Sequence, residues 1–479
     1  MSALFSFLLL LTASQDPGQK AREEIAKQSR NLAAVLVGLG DWLATQKMHA
    51  WARREYFRAK EIDPECEAAW KKIGHRKVNG QWELDPSKKL DTENQKKGEE
   101  AERLRKEYLQ KTEAVGKDFA NRFAQIALLA QRSDLESEAK ELWLRVLDLD
   151  PTHADARGAL GYEKLPSGGW ARPEEIRLRS ELRQGVSQAP KGASLAEEPE
   201  YERVLKLPLK KLTSDRFVVA APHLDTPVLE RLIQHAEHTY AMWHTLFAQQ
   251  DVFRKQKMHL LVLQDREQHV RYVDSFHRGN AEQKEFARKL SGQLGFPVTE
   301  CYQGSRSNEG IEDWFVHAVS QNLIRMFAVG KKTKSHDPLW LLEGLAYWFT
   351  GAVHGSAIWG CVELGGTQAG NKPKVKDARK PETWPRTIRT SVLEEQDPAI
   401  RAVILCTNAP DFEPLEVIKA WSLLDFLLVE YRAKLAEFCQ DLRRQDDNGE
   451  KSFAKVFGWT LDELDVRWKA WVLREYAGR

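Results

Sequence analysis

Three side chains in the C-terminal half are of types that could hold a divalent cation: His317, Gln321 and Glu343. His317 and Gln321 are four residues apart, so on a helix they project from the same face. An imidazole nitrogen and a carboxylate oxygen are good ligands for a zinc-type ion, whereas a neutral amide oxygen is a poor one. Residue 318, directly after the histidine, is alanine and can neither accept nor deliver a proton. What remains is two good ligands where three are needed, with no proton acceptor beside the histidine. His336 and His354 lie nearby, but neither forms a four-residue pair with another histidine.

These residues need two helices to position them. "GIEDWFVHAVSQNLIRMFAV" (310–329) places Ile311, Trp314, Phe315, Ala318, Val319, Leu323 and Met326 on an apolar face, with Asp313, His317, Ser320 and Gln321 on the other. "PLWLLEGLAYWFT" (338–350) is the second helix and carries Glu343. Further helices are expected at Pro414–Tyr431 and Thr460–Glu475. Strands are expected in "DRFVVAAP" (215–222), "KMHLLVLQD" (257–265) and "FPVTECYQGS" (296–305), around a long amphipathic helix in "TPVLERLIQHAEHTYAMWHTLFA" (226–248).

Taken together, "HAVSQ" (317–321) and "WLLEGLAYWF" (340–349) resemble the gluzincin peptidases, specifically the peptidase MA-like bacterial families. Those pair an H-E-x-x-H helix, whose glutamate is the general base, with a later W-L-x-E-G-L-A motif whose glutamate is the third zinc ligand. The similarity spans roughly Leu212–Val472 and includes "AWSLLDFLLVEYRAKLAEFCQDL" and the closing "SFAKVFGWTLDELDVRWKAWV". It implies a small mixed sheet followed by a helical subdomain, with His317, Gln321 and Glu343 as a vestigial metal set. The departures are Ala318 at the general-base position, Gln321 at the second histidine and Tyr347 where an acidic residue orients the first ligand. Losing a general base alone costs roughly 10²–10⁴ in rate, so no catalytic residue is expected. No cofactor is expected on this reading. The alternative is an active zinc metallopeptidase of the gluzincin type with an unusual ligand set, which would hold zinc.

The N-terminal half carries an internal repeat. "RAKEIDPECEAAWKKIGHRKVNGQWE" (58–83) and "RVLDLDPTHADARGALGYEKLPSGGWARPEE" (145–175) share an Asp-Pro step and a Gly-Trp segment. Each resembles the end of a tetratricopeptide repeat, with Gly40, Ala52, Tyr56 and Ala59 near the expected positions of the first copy. The "NGQW" and "SGGW" segments read as turns or hairpins. The charged run 85–116 reads as a solvated helical connector.

At 479 residues the chain has room for several domains, and its 72 basic and 70 acidic residues leave a net charge of +2. That balance argues against a dedicated nucleic-acid surface. The apolar run Leu4–Leu11, followed by Thr12, Ala13 and Ser14, reads as a short secretory signal. Five scattered cysteines form neither a zinc ribbon nor a disulfide framework. The expected organisation is a signal peptide (1–14), helical repeats (19–183), a linker (184–200), an α/β part (201–309) and a helical part (310–479), in an α+β, mostly α chain. The expected protein is exported, periplasmic or extracellular, and binds a protein or peptide rather than nucleic acid. It keeps no transmembrane segment once the signal is removed. A purely structural role in the cell envelope fits the same sequence.

Overall fold

A computed structural model describes residues 17–91, 93–165, 169–247, 253, 256–329, 337–357, 380–407, 411–445 and 448–479. The secretory-signal reading (1–14), the basic loop 330–335, His336 and Cys361 lie outside the described residues. The chain is mostly helical with a small mixed sheet. It divides into two compact units, Met1–Pro173 with Val392–Glu395 and Asp462–Arg479, and Glu174–Ser391 with Gln396–Leu461.

The first unit consists of helices α1 (Pro17–Thr45), α2 (His49–Ile62), α3 (Glu67–Lys72), α4 (Gly98–Arg132), α5 (Glu136–Leu149) and α6 (Ala154–Ala159), with hairpins β1–β2 (His75–Val78, Gln81–Leu84) and β3–β4 (Glu163–Lys164, Trp170–Ala171). The internal repeat is visible in the backbone. Each copy runs from a helix through an Asp-Pro turn and a six-residue helix into a hairpin. The turn aspartates Asp63 and Asp150 share nearly the same geometry (φ −133° in both, ψ 94° and 92°). Each also accepts a backbone N–H two residues on, from Glu65 and Thr152. The first hairpin turns on Asn79 (φ 50°) and Gly80 (φ 85°), the two left-handed positions a two-residue type I′ turn demands.

The charged run 85–116 departs from its expected role as a solvated connector. Helix α4 starts only at Gly98, and Leu104 and Tyr108 are buried in the core beside Trp51, Phe123, Trp143 and Leu147. The charges cover the outer face while two apolar residues four apart reach inward. Val466, on the C-terminal helix Leu461–Glu475, joins the same core. The last residues of the chain therefore belong to the unit that contains its first helices, not to the unit that contains residue 310.

The second unit begins with α7 (Pro173–Gln184) and a short 3-10 turn, then β5 (Ala193–Ser194), α8 (Glu200–Leu205), β6 (Lys210–Thr213), β7 (Phe217–Ala221), α9 (Thr226–Phe247), β8 (Met258–Leu263), α10 (Arg266–Phe276), α11 (Ala281–Lys289), β9 (Gly292–Gln293) and β10 (Val298–Tyr302). The strand order is β5-β6-β7-β8-β10-β9. β7, β8 and β10 run parallel and the outer pairings are antiparallel. β7 is buried along its whole length, as a central parallel strand with covered faces should be. The expected linker 184–200 departs from loop structure at β5, which pairs Ala193 and Ser194 with Thr213 and Leu212 at the sheet edge.

Helices complete this unit: α12 (Asn308–Ile324) running into a π-turn (Arg325–Val329), α13 (Leu339–Val353), α14 (Trp384–Leu393), α15 (Ile400–Leu405), α16 (Pro414–Arg444) and α17 (Glu450–Phe457). α16 continues past the expected end at Tyr431, where a kink (φ −137°, ψ 32°) absorbs the change of direction. α12 departs from the amphipathic reading, because every residue from Gly310 to Ile324 is buried. Its polar strip faces protein, so each polar group there needs a partner. Among the described residues no helix is long and apolar enough to cross a membrane.

Candidate functional site

The close approach of α13 to α16 fixes Glu343. A Cβ on Gly344 would sit 2.8 Å from the carbonyl oxygen of Ala420, so only glycine permits this packing. The preceding glutamate is thereby turned onto α12. Ser307 caps α12 by accepting the N–H of Gly310. His317 and Gln321 lie one turn apart on that helix, and the structure brings them together with Glu343.

The geometry shows what Gln321 does there. Its amide nitrogen donates to Glu343 Oε1 at 2.6 Å and lies 3.2 Å from His317 Nε2. His317 Nε2 and Glu343 Oε2 are 3.4 Å apart. The NH₂ group thus bridges the imidazole and the carboxylate from the side on which a metal would bind both. All three residues are buried, and the Tyr347 ring packs edge-on to His317 with centroids 4.7 Å apart. Ala318 offers no proton acceptor. Two ligands facing an amide donor do not fit a zinc ion, which needs lone pairs where Gln321 presents hydrogens.

A second cluster was not assembled by sequence reasoning. His235 on α9, Glu312 on the second turn of α12 and His354 at the C-terminal end of α13 have donor atoms all within 4.8 Å of one another. His235 Nε2 and His354 Nε2 are each 3.4 Å from Glu312 Oε2. The His354 Nδ1–H donates to Asp313 Oδ1 at 2.6 Å, and the Ser356 hydroxyl donates to the same oxygen at 2.5 Å. Arg231 Nε donates to the other Glu312 oxygen at 2.8 Å.

The electrostatics of this cluster are strong. Burial disfavours the charged His354 imidazole, but its hydrogen bonds to Asp313 and Glu312 outweigh that and raise it to about 9. Burial also opposes ionisation of Glu312, yet His235, His354 and Arg231 hold it well below the usual carboxylate range. The sequence signal for this group was thin. His354 is visible as a nearby histidine, but residues 235, 312 and 354 share no spacing and meet only through the packing of α9, α12 and α13.

No family model matches the chain, and no curated protein matches it.

Proposed function

We propose that this chain is an exported protein whose second unit is a catalytically inactive zinc-peptidase-like domain, with helical repeats of tetratricopeptide type preceding it, and that it acts by binding protein or peptide. The observation that carries this reading is the Gln321 amide bridging His317 and Glu343. A site kept in shape by an internal hydrogen-bond donor, with alanine at the general-base position, suits retention of a fold without its chemistry.

The surface beside β9 supports a polypeptide ligand. β9 is a two-residue strand at the edge of the sheet. A cavity of about 730 Å³ beside it is lined by Phe286, Leu290, Leu294, Trp314 and Arg325. Phe286 is 59% exposed, an unusual state for a phenylalanine on a short helix. An extended chain pairing with β9 would place its side chains against this wall, where apolar residues alternate with polar ones such as Glu282, Gln283 and Gln293.

The test restores the missing residues. Ala318→Glu with Gln321→His should add one equivalent of zinc beyond what the native protein takes up, held by His317, Glu343 and the introduced imidazole, read by elemental analysis, and that added equivalent should be lost when Glu343→Gln is included. The native protein should cleave no unfolded protein substrate with or without added zinc. Chelator-sensitive cleavage by the native protein would replace this reading with that of an active metallopeptidase.

A further inference from the structure

We propose that His235, Glu312 and His354 form a binding site for one divalent transition-metal ion of the zinc class, separate from the His317–Glu343 pair. This inference does not depend on the peptidase-like reading. It rests on the convergence of three donors from three helices.

The distances favour an ion. Zinc bonds to imidazole nitrogen and carboxylate oxygen of about 2.0–2.1 Å in a tetrahedral shell put neighbouring donors about 3.3–3.4 Å apart. Both imidazole Nε2 atoms stand 3.4 Å from Glu312 Oε2. A charged N–H···O hydrogen bond would close to about 2.7–2.9 Å. The same His354 ring makes such a short bond on its other nitrogen, 2.6 Å to Asp313. The ring therefore reaches a carboxylate closely on one side and stops short on the other. The two imidazoles stand perpendicular with centroids 5.1 Å apart and so do not stack.

The surroundings also suit a cation. Asp313 fixes the proton of His354 on Nδ1 and leaves Nε2 to point at Glu312, the arrangement that orients metal-bound histidines. Ser356 steadies Asp313. Arg231 occupies Glu312 Oε1 and leaves Oε2 for the ion, which makes the carboxylate a one-oxygen ligand. His235 is buried, and its Nδ1 has no hydrogen-bond partner among the described residues. Two carboxylates face one guanidinium here, so a divalent cation that displaces the Nε2 proton of His354 meets a cluster of charge −1. The side chains of His235, Glu312 and His354 are only 8%, 10% and 12% exposed, so an ion held there would be largely withdrawn from solvent.

The experiment uses the full chain, stripped with chelator and titrated with Zn²⁺ by calorimetry and with Co²⁺ by visible absorption. One equivalent should bind, and Co²⁺ should give the intense ligand-field bands of a tetrahedral site. His354→Ala and Glu312→Gln should each weaken binding more than 100-fold, since outer partners alone are worth about 10–100-fold. His317→Ala and Glu343→Gln should leave binding unchanged. Should a variant fail to fold, histidine ¹⁵N spectra of the native protein decide instead, because Zn²⁺ should shift the Nε2 signals of His235 and His354. The proposal is overturned if the native protein takes up no metal, if those signals stay put, or if uptake follows His317 instead of His354.

Discussion

Two buried glutamates of the first unit and two of the second are held by different kinds of partner. In the first unit, Glu475 is held by Arg474 (2.7 Å), Arg172 (2.9 Å) and the Tyr162 hydroxyl (2.6 Å). Glu55 is held by Arg58 and the Tyr108 hydroxyl. In the second unit, Glu312 and Glu343 face imidazoles and an amide as well as a single arginine. Guanidinium is always charged and has no lone pair to give, so an arginine knot can only hold its carboxylate in place. An imidazole can exchange its proton for a metal. The contrast gives the first unit's two knots structural work, whereas the imidazoles beside Glu312 carry nitrogens that can exchange a proton for an ion.

The largest expected effect comes from breaking the arginine knot. Burial would raise Glu475, but Arg474, Arg172 and Tyr162 pull it down to about 2, against 4.5 for the free side chain. A depressed carboxylate contributes its stability above the unfolded value and loses it as pH falls through the folded one. Between pH 4.5 and 2 the first unit should lose about 3 kcal/mol. Hydrogen exchange should show amides of this unit opening first in acid, and Glu475→Gln should lower stability at pH 7 by a similar amount while flattening that acid dependence. Metal uptake should be unchanged.

Gln321→Leu should cost less, about 2 kcal/mol in denaturant unfolding, because it removes a hydrogen bond to a buried carboxylate and leaves that oxygen without its donor. An unchanged stability would mean that the amide bridge is not what closes this pair. The smallest effect is expected at the other cluster. Asp313→Asn should weaken metal binding about 10-fold through loss of the group that orients His354. In the calorimetric titration an unaltered affinity would place His354 outside the ion's shell.

How much of this is legible in the sequence varies with the range of the interaction. The His317–Gln321 pair can be read because four residues is about one helical turn, and Glu343 because it follows a recognisable aromatic and glycine pattern. The Asp-Pro steps and the Asn79-Gly80 turn are legible for the same local reason. The polar strip of α12 reads as the outer side of an amphipathic helix and is buried instead, because wheel periodicity says which side chains share a face but not whether the polar face meets solvent. β5 escapes notice because two backbone pairings leave no mark on composition. The Glu312 cluster is out of reach, since its histidines lie far apart in the chain.

The sequence by itself determined the long helices, the central strands, the repeated turn units and the absence of a base beside His317, because each depends on neighbours within a few residues; the short helices between them, such as α10, α11 and α14, were not marked in it. Only the tertiary structure decided that the last helix joins the first unit's core, that the Gln321 amide bridges its two partners, and that His235 and His354 converge on one oxygen of Glu312. Those outcomes depend on how helices pack, and packing is set by the whole buried surface of a unit rather than by any one stretch of it.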